Sequence, residues 1–238
     1  IIYILKKSRI LVPEKQHFAV DKEMYLELLG QGFSMGFMSS IVSAGSVILQ
    51  YGINGLGYLI IAGHTAARKL YMFSIMPVIA MGMAFSTFVS QNKGANQGGR
   101  IRQAMKCIYI YSAVVTAVIT VLMWGAAPVL VKWISGSDEA EVLENSAMYL
   151  RIVSPFYVVL GILLAARNAL QGLGQKLLPL VSSVIELLGK IIFVLVFIPR
   201  FAYMAVILCE PVIWCVMTIQ LLYTFYHDSY IKSFKKTA

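Results

Sequence analysis

The sequence predicts an all-α integral membrane protein, a bundle of six transmembrane helices. Three observations predict it. The hydrophobic fraction is 59% and the charged fraction only 13%, against about 25% charged in soluble domains. The mean hydropathy is +0.76, and the apolar residues gather into runs of the ~20 residues or more that cross a bilayer. The Lys, Arg, Asp and Glu side chains fall mostly in the short segments between those runs. Disorder is excluded, because it needs low hydrophobicity. The net charge of +9 is scattered over loops rather than gathered on one soluble face, so nucleic acid is excluded as a partner. No P-loop, HExxH or Ser-His-Asp set occurs, so the chain does not read as an enzyme. The expected partner is the lipid bilayer, and no metal or organic cofactor is expected. Cys107, Cys209 and Cys215 lack metal-ligand spacing and are expected to be buried small hydrophobes.

The chain opens with Ile1-Ile2-Tyr3-Ile4-Leu5 and passes into Lys6-Lys7-Ser8-Arg9. A signal peptide has the reverse order, so residues 1–23 read as a cytoplasmic linker after a truncated helix. Residues 24–226 form the six-helix lobe and residues 227–238 a cytoplasmic tail. The first span, Met24 to Tyr51, carries many small residues such as Gly30, Gly32, Gly36 and Gly45, which let helices approach closely. The second, Leu59 to Ser90, contains Pro77. The third, Ala104 to Ile134, has a lipid-facing core and an expected break near Pro128. The fourth, Ala147 to Leu170, contains Pro155. The fifth runs from Leu177 to Ile198 and ends at Pro199; the sixth, Phe201 to Phe225, contains Pro211. Proline within a span frees a carbonyl and favours a kink, so Pro77, Pro155 and Pro211 are candidate hinges of a moving protein.

Lys and Arg concentrate before the first span, at Lys93 to Lys106, at Arg167 and Lys176, and in the tail at Lys232, Lys235 and Lys236. The loop between the third and fourth spans is acidic, with Asp138, Glu139, Glu141 and Glu144. The positive-inside rule puts both ends in the cytoplasm and the acidic loop outside, in the plasma membrane.

A few charges fall inside the spans, where each costs at least about 2.5–3.5 kcal/mol and marks a bundle interior or a substrate path. Glu186 and Lys190 share one face of the fifth span, four residues apart. They either neutralise each other as a staple, or Glu186 exchanges a proton or helps to hold a cation while Lys190 tunes it. Arg151 lies about 6 Å inside the fourth span and either snorkels outward or faces the path. Glu210 precedes Pro211 and either bonds a neighbouring helix or joins the path. Gln50 and Asn54 complete the candidate set. Arg68 and Lys69 are expected at the outer interface. Met and aromatic side chains would suit a cavity for lipophilic cations.

The stretch Gln91-Asn92-Lys93-Gly94-Ala95-Asn96 after Gly82 and Phe88 resembles a hallmark of the multidrug and toxic compound extrusion (MATE) family. Tyr149-Leu150-Arg151-Ile152 through Arg167-Asn168-Ala169-Leu170-Gln171-Gly172, and Glu210-Pro211-Val212-Ile213-Trp214, give two further matches in order. The resemblance implies the C-terminal lobe of a twelve-helix transporter that expels small organic cations or drugs in exchange for H⁺ or Na⁺ by alternating access. It also implies an absent N-terminal six-helix lobe as partner. The first and fourth spans carry no acid in their membrane part, so the sodium site of one branch of the family finds no support. Two other readings stay open. A flippase of lipid-linked saccharides would show more Arg and Lys lining the cavity. A non-transporting membrane scaffold would not need paired midplane charges.

Overall fold

The computed structural model describes residues 21–234, and the regular structure over them is all helix. The expected truncated helix, the basic opening and Lys235 and Lys236 lie outside the described residues. Helix α1 (Lys22–Asn54) starts on Asp21, whose carboxylate accepts from the backbone N–H groups of Glu23 (2.9 Å) and Met24 (3.2 Å). Helix α2 (Tyr58–Gly94) follows Gly57, whose φ of 103° a side-chain-bearing residue would resist. Helix α3 (Gly98–Ser135) ends on Gly136 in the left-handed conformation. The fourth span consists of α4 (Ala140–Val153), a 3₁₀ turn (Ser154–Phe156) and α5 (Tyr157–Gly172). Helix α6 (Leu177–Ile192) passes through a π turn (Phe193–Phe197) into α7 (Ile198–His227). A short α8 (Ser229–Ser233) follows, capped by Asp228.

Among the described residues five continuous helical stretches are long and apolar enough to cross a membrane, and the last of them runs 51 residues from Leu177 to His227. Straight, it would measure about 77 Å, more than twice the ~30 Å hydrocarbon core. It is not straight. Ala202 has φ 46° and ψ −129°, and a Cβ added to Gly189 would lie 2.7 Å from a side-chain carbon of Ile213. The chain reverses at Ala202 and α7 returns along α6, so the stretch supplies two spans and the described residues form six.

The reversal sits three residues beyond Pro199, close to where the sequence places it. The fourth span begins at Ala140 rather than Ala147. Glu141 and Glu144 are thus in the opening turns of a helix, where its dipole favours them, and not in a loop. Pro77 and Pro128 lie within uninterrupted helices, and Pro211 lies in the part of α7 that follows Ala202; at Pro155 the chain passes through a 3₁₀ turn. Cys209 is buried as expected, but Cys107 is exposed, on the outward face of α3.

The buried core runs through α2, α3, α4, α5 and α7. Helices α1 and α6 pack on each other and rest on that core along one side. Large apolar side chains such as Val118, Leu122 and Trp133 on α3 remain exposed, as expected where the solvent is lipid. Two of the sequence matches meet in space. A Cβ on Gly172 would lie 2.5 Å from the carbonyl oxygen of Ser86, and one on Gly82 would lie 2.9 Å from Nδ2 of Asn168. Lys93 donates to the Leu173 carbonyl at 2.7 Å. These residues let α2 and α5 cross closely and tie their ends together, and Gln175 donates to Asp228 at the same end at 2.8 Å.

Candidate functional site

Helices α1, α2, α5, α6 and α7 enclose a cavity of about 200 Å³ between the α1–α6 pair and the core. Its charged lining comes from four of them: Arg68 on α2, Arg167 on α5, Glu186 and Lys190 on α6, and Glu210 on α7. Met72, Met217, Tyr71 and Trp214 give it apolar and aromatic walls, as the composition suggests. A neighbouring cavity of about 230 Å³ shares Ser46, Arg68 and Glu210 and adds Gln50, Thr65 and His64.

Lys190 Nζ lies 2.8 Å from Glu186 Oε1 and 3.5 Å from Ser46 Oγ. The lysine side chain is 3% exposed. Its stem runs across Gly45, where a Cβ would meet Lys190 Cδ at 3.1 Å; the glycine gives this lysine its place against α1. The other Glu186 oxygen, Oε2, lies 3.9 Å from Nη2 of Arg167. Glu186 thus stands between two cations. Above it, Arg68 Nη1 donates to Glu210 Oε2 at 2.5 Å and to the Tyr149 hydroxyl at 3.3 Å. Tyr149 in turn donates to Glu210 Oε2 at 3.4 Å. The Arg68 guanidinium lies 4.6 Å from the centre of the Tyr71 ring, and Tyr71 stacks on Trp214. His64 meets Tyr149 edge-on, with ring centres 5.0 Å apart.

Of the sequence-predicted residues, the structure brings together Glu186, Lys190, Glu210 and Gln50. Asn54 is exposed and accepts from Gln50 Nε2 at 2.8 Å, at the C-terminal end of α1. Arg151 does not belong to the site. The buried stripe of α4 runs through Ser146, Tyr149, Leu150 and Val153, and Arg151 falls off it onto the exposed surface. Two members were missed. Arg68, expected at the interface, lies ten residues into α2, about 15 Å from its end, and pairs with Glu210. Lys69 beside it is exposed but lies just as deep along α2, so it too falls inside the span rather than at its end. Arg167, expected in a loop, lies five residues inside the end of α5, about 8 Å deep, and is largely buried. The signal for Arg68 was Glu210 itself, an intramembrane carboxylate with no partner on its own helix.

The donor set does not fit a bare Na⁺. A hard cation needs several free oxygens, whereas three cations crowd the two carboxylates here. Among the described residues no three His, Cys, Asp or Glu side chains converge.

The sequence matches the MatE family over residues 35–196, more than half of the chain. The chain belongs to this family, one of multidrug efflux transporters and not of enzymes. It is 21% identical over 191 residues to the probable multidrug resistance protein YoeA of Bacillus subtilis, covering 79% of this chain and 41% of that protein. It is 22% identical over 175 residues to the multidrug export protein MepA of Staphylococcus saprophyticus, covering 74% of this chain and 38% of that protein. Among solved structures, a MATE in complex with MaL6 superposes with a TM-score of 0.80 at 20% identity, over 99% of this chain and 53% of the other. An outward-facing MATE multidrug transporter of the MOP superfamily gives 0.76 at 16% identity, over 86% of this chain and 46% of the other. The fold is thus the helical membrane bundle of this family, and the chain spans less than half the length of these curated relatives.

Proposed function

We propose that this chain works as the C-terminal six-helix lobe of a cation-coupled antiporter that exports lipophilic, often cationic compounds by alternating access. The observation that carries the proposal is the five-charge cluster around one intramembrane cavity, an expensive arrangement for a mere packing unit. Glu186 is the residue proposed to exchange the coupling proton. It stands between Lys190 and Arg167, so a change in its charge changes the field across α5 and α6. H⁺ is proposed over Na⁺ because both carboxylates already face cations. The Met and aromatic walls suit the body of a lipophilic substrate. Pro155 is proposed as the hinge of the fourth span; Pro77 and Pro211 remain candidates through their freed carbonyls.

A second reading has an observation behind it. A flippase of lipid-linked saccharides was expected to show Arg and Lys along its cavity, and Arg68, Arg167 and Lys190 line this one.

Alternating access needs a second lobe, either the partner half or a second copy. The monomeric chain in proteoliposomes should not move ethidium under an imposed proton gradient, whereas the chain joined to a second six-helix lobe should. Export by a demonstrated monomer contradicts the proposal. The lobe is proposed to sit in the plasma membrane with both ends cytoplasmic. In a background lacking its own cysteines, Glu139→Cys should then react with an impermeant maleimide on intact cells and Lys93→Cys should not; the opposite pattern would reverse the topology.

A further inference from the structure

We propose that Arg167 is the anchor of an anion-binding subsite inside the lobe, taking a carboxylate or phosphate group into the cavity between the α1–α6 pair and the core. The inference is independent of either transport reading, because binding alone tests it.

Charge comes first. Arg68, Arg167 and Lys190 face Glu186 and Glu210 across the cavity, which leaves one positive charge without a counter-charge. From α1 only the neutral Ser46 and Val42 line it. Arg167 is the least tightly held of the three, since it shares Glu186 with Lys190. Lys190 is at 2.8 Å from Glu186 and Arg68 at 2.5 Å from Glu210, both within hydrogen-bond distance. Arg167 approaches Glu186 only to 3.9 Å, beyond it.

Geometry agrees. Nε and Nη2 of Arg167 are buried and donate to no acceptor among the described residues. These two nitrogens share one edge of the guanidinium. That edge holds a carboxylate or phosphate by two parallel hydrogen bonds, a match a point charge such as lysine lacks. Buried charged donors are rarely left without a partner, and here the unsatisfied edge lies beside a cavity of about 200 Å³. That volume accommodates an anionic head group with the start of an apolar stem along Met217 and Trp214.

The test uses the full chain in non-ionic micelles and a fluorescent probe, 11-(dansylamino)undecanoic acid, with its uncharged methyl ester as control. The acid should bind more tightly than the ester. Arg167→Gln should weaken the acid about 10- to 100-fold and leave the ester unchanged. Arg167→Lys, which keeps the charge and loses the two-pronged edge, should give a smaller but clear loss. Displacement of the probe by inorganic phosphate would assign the site to small free anions; displacement only by amphiphilic carboxylates would assign it to the head group of a larger compound. Both outcomes support the site. Equal affinity for acid and ester overturns it, as does an unchanged affinity for the acid in Arg167→Gln. Where Arg167→Gln does not yield folded protein, wild-type affinity for the acid in Arg167→Lys overturns it.

Discussion

Glu186→Gln should destabilise the folded lobe by about 3–5 kcal/mol, the cost of leaving buried charge uncompensated, and Lys190→Met should cost clearly less. The asymmetry comes from Arg167. Removing the carboxylate leaves Lys190, 3% exposed, and Arg167, 13% exposed, as two neighbouring cations with no counter-charge. Removing the ammonium leaves Glu186 with Arg167 at 3.9 Å, and a side-chain adjustment closes that gap. The combined Glu186→Gln and Lys190→Met variant keeps the local net charge of the wild type and should recover most of the stability. Thermal unfolding in micelles, followed by loss of the monodisperse peak, measures all three. A loss in Lys190→Met as large as that in Glu186→Gln would show that Arg167 does not share the carboxylate.

Arg68→Ala comes next in size, at about 2–4 kcal/mol. It strips Glu210 of its ion-pair partner, leaving a side chain 11% exposed with the Tyr149 hydroxyl. The figure sits below the fully buried range because Arg68 is itself 33% exposed, which weakens its Coulomb attraction through solvent screening. Adding Glu210→Gln should return at least half of the loss, since two residues in contact couple. Additive losses in the double variant would mean that the contact does not hold α2 to α7.

Much of this architecture was legible in the sequence because the bilayer imposes it. Six apolar runs, their proline content and the alternation of basic and acidic loops follow from length and hydropathy alone. The Glu186–Lys190 pair was legible because both residues lie on one helix at a spacing that fixes their meeting. Arg68 and Arg167 were misplaced for the converse reason. Their partners lie on other helices, and position along a span does not say which face turns inward. Arg151 failed in the opposite sense: it is as deep as a functional residue, but the rotation of α4 set by Ser146, Tyr149, Leu150 and Val153 points it away from the site. The reversal at Ala202 was legible to within a few residues, since Pro199 marks the end of an apolar run.

The central claim is that Glu186 carries coupling rather than merely stapling α6 to its neighbours. Its most direct test is gradient-driven ethidium efflux from proteoliposomes holding the two-lobe protein, with wild type compared to the combined Glu186→Gln and Lys190→Met variant. That variant keeps the local net charge, so the exchangeable carboxylate is removed together with its ammonium partner and no uncompensated charge is left. The account predicts a folded protein whose efflux no longer responds to an imposed proton gradient. Near-normal gradient-driven efflux by the variant would contradict it and leave the pair a structural staple.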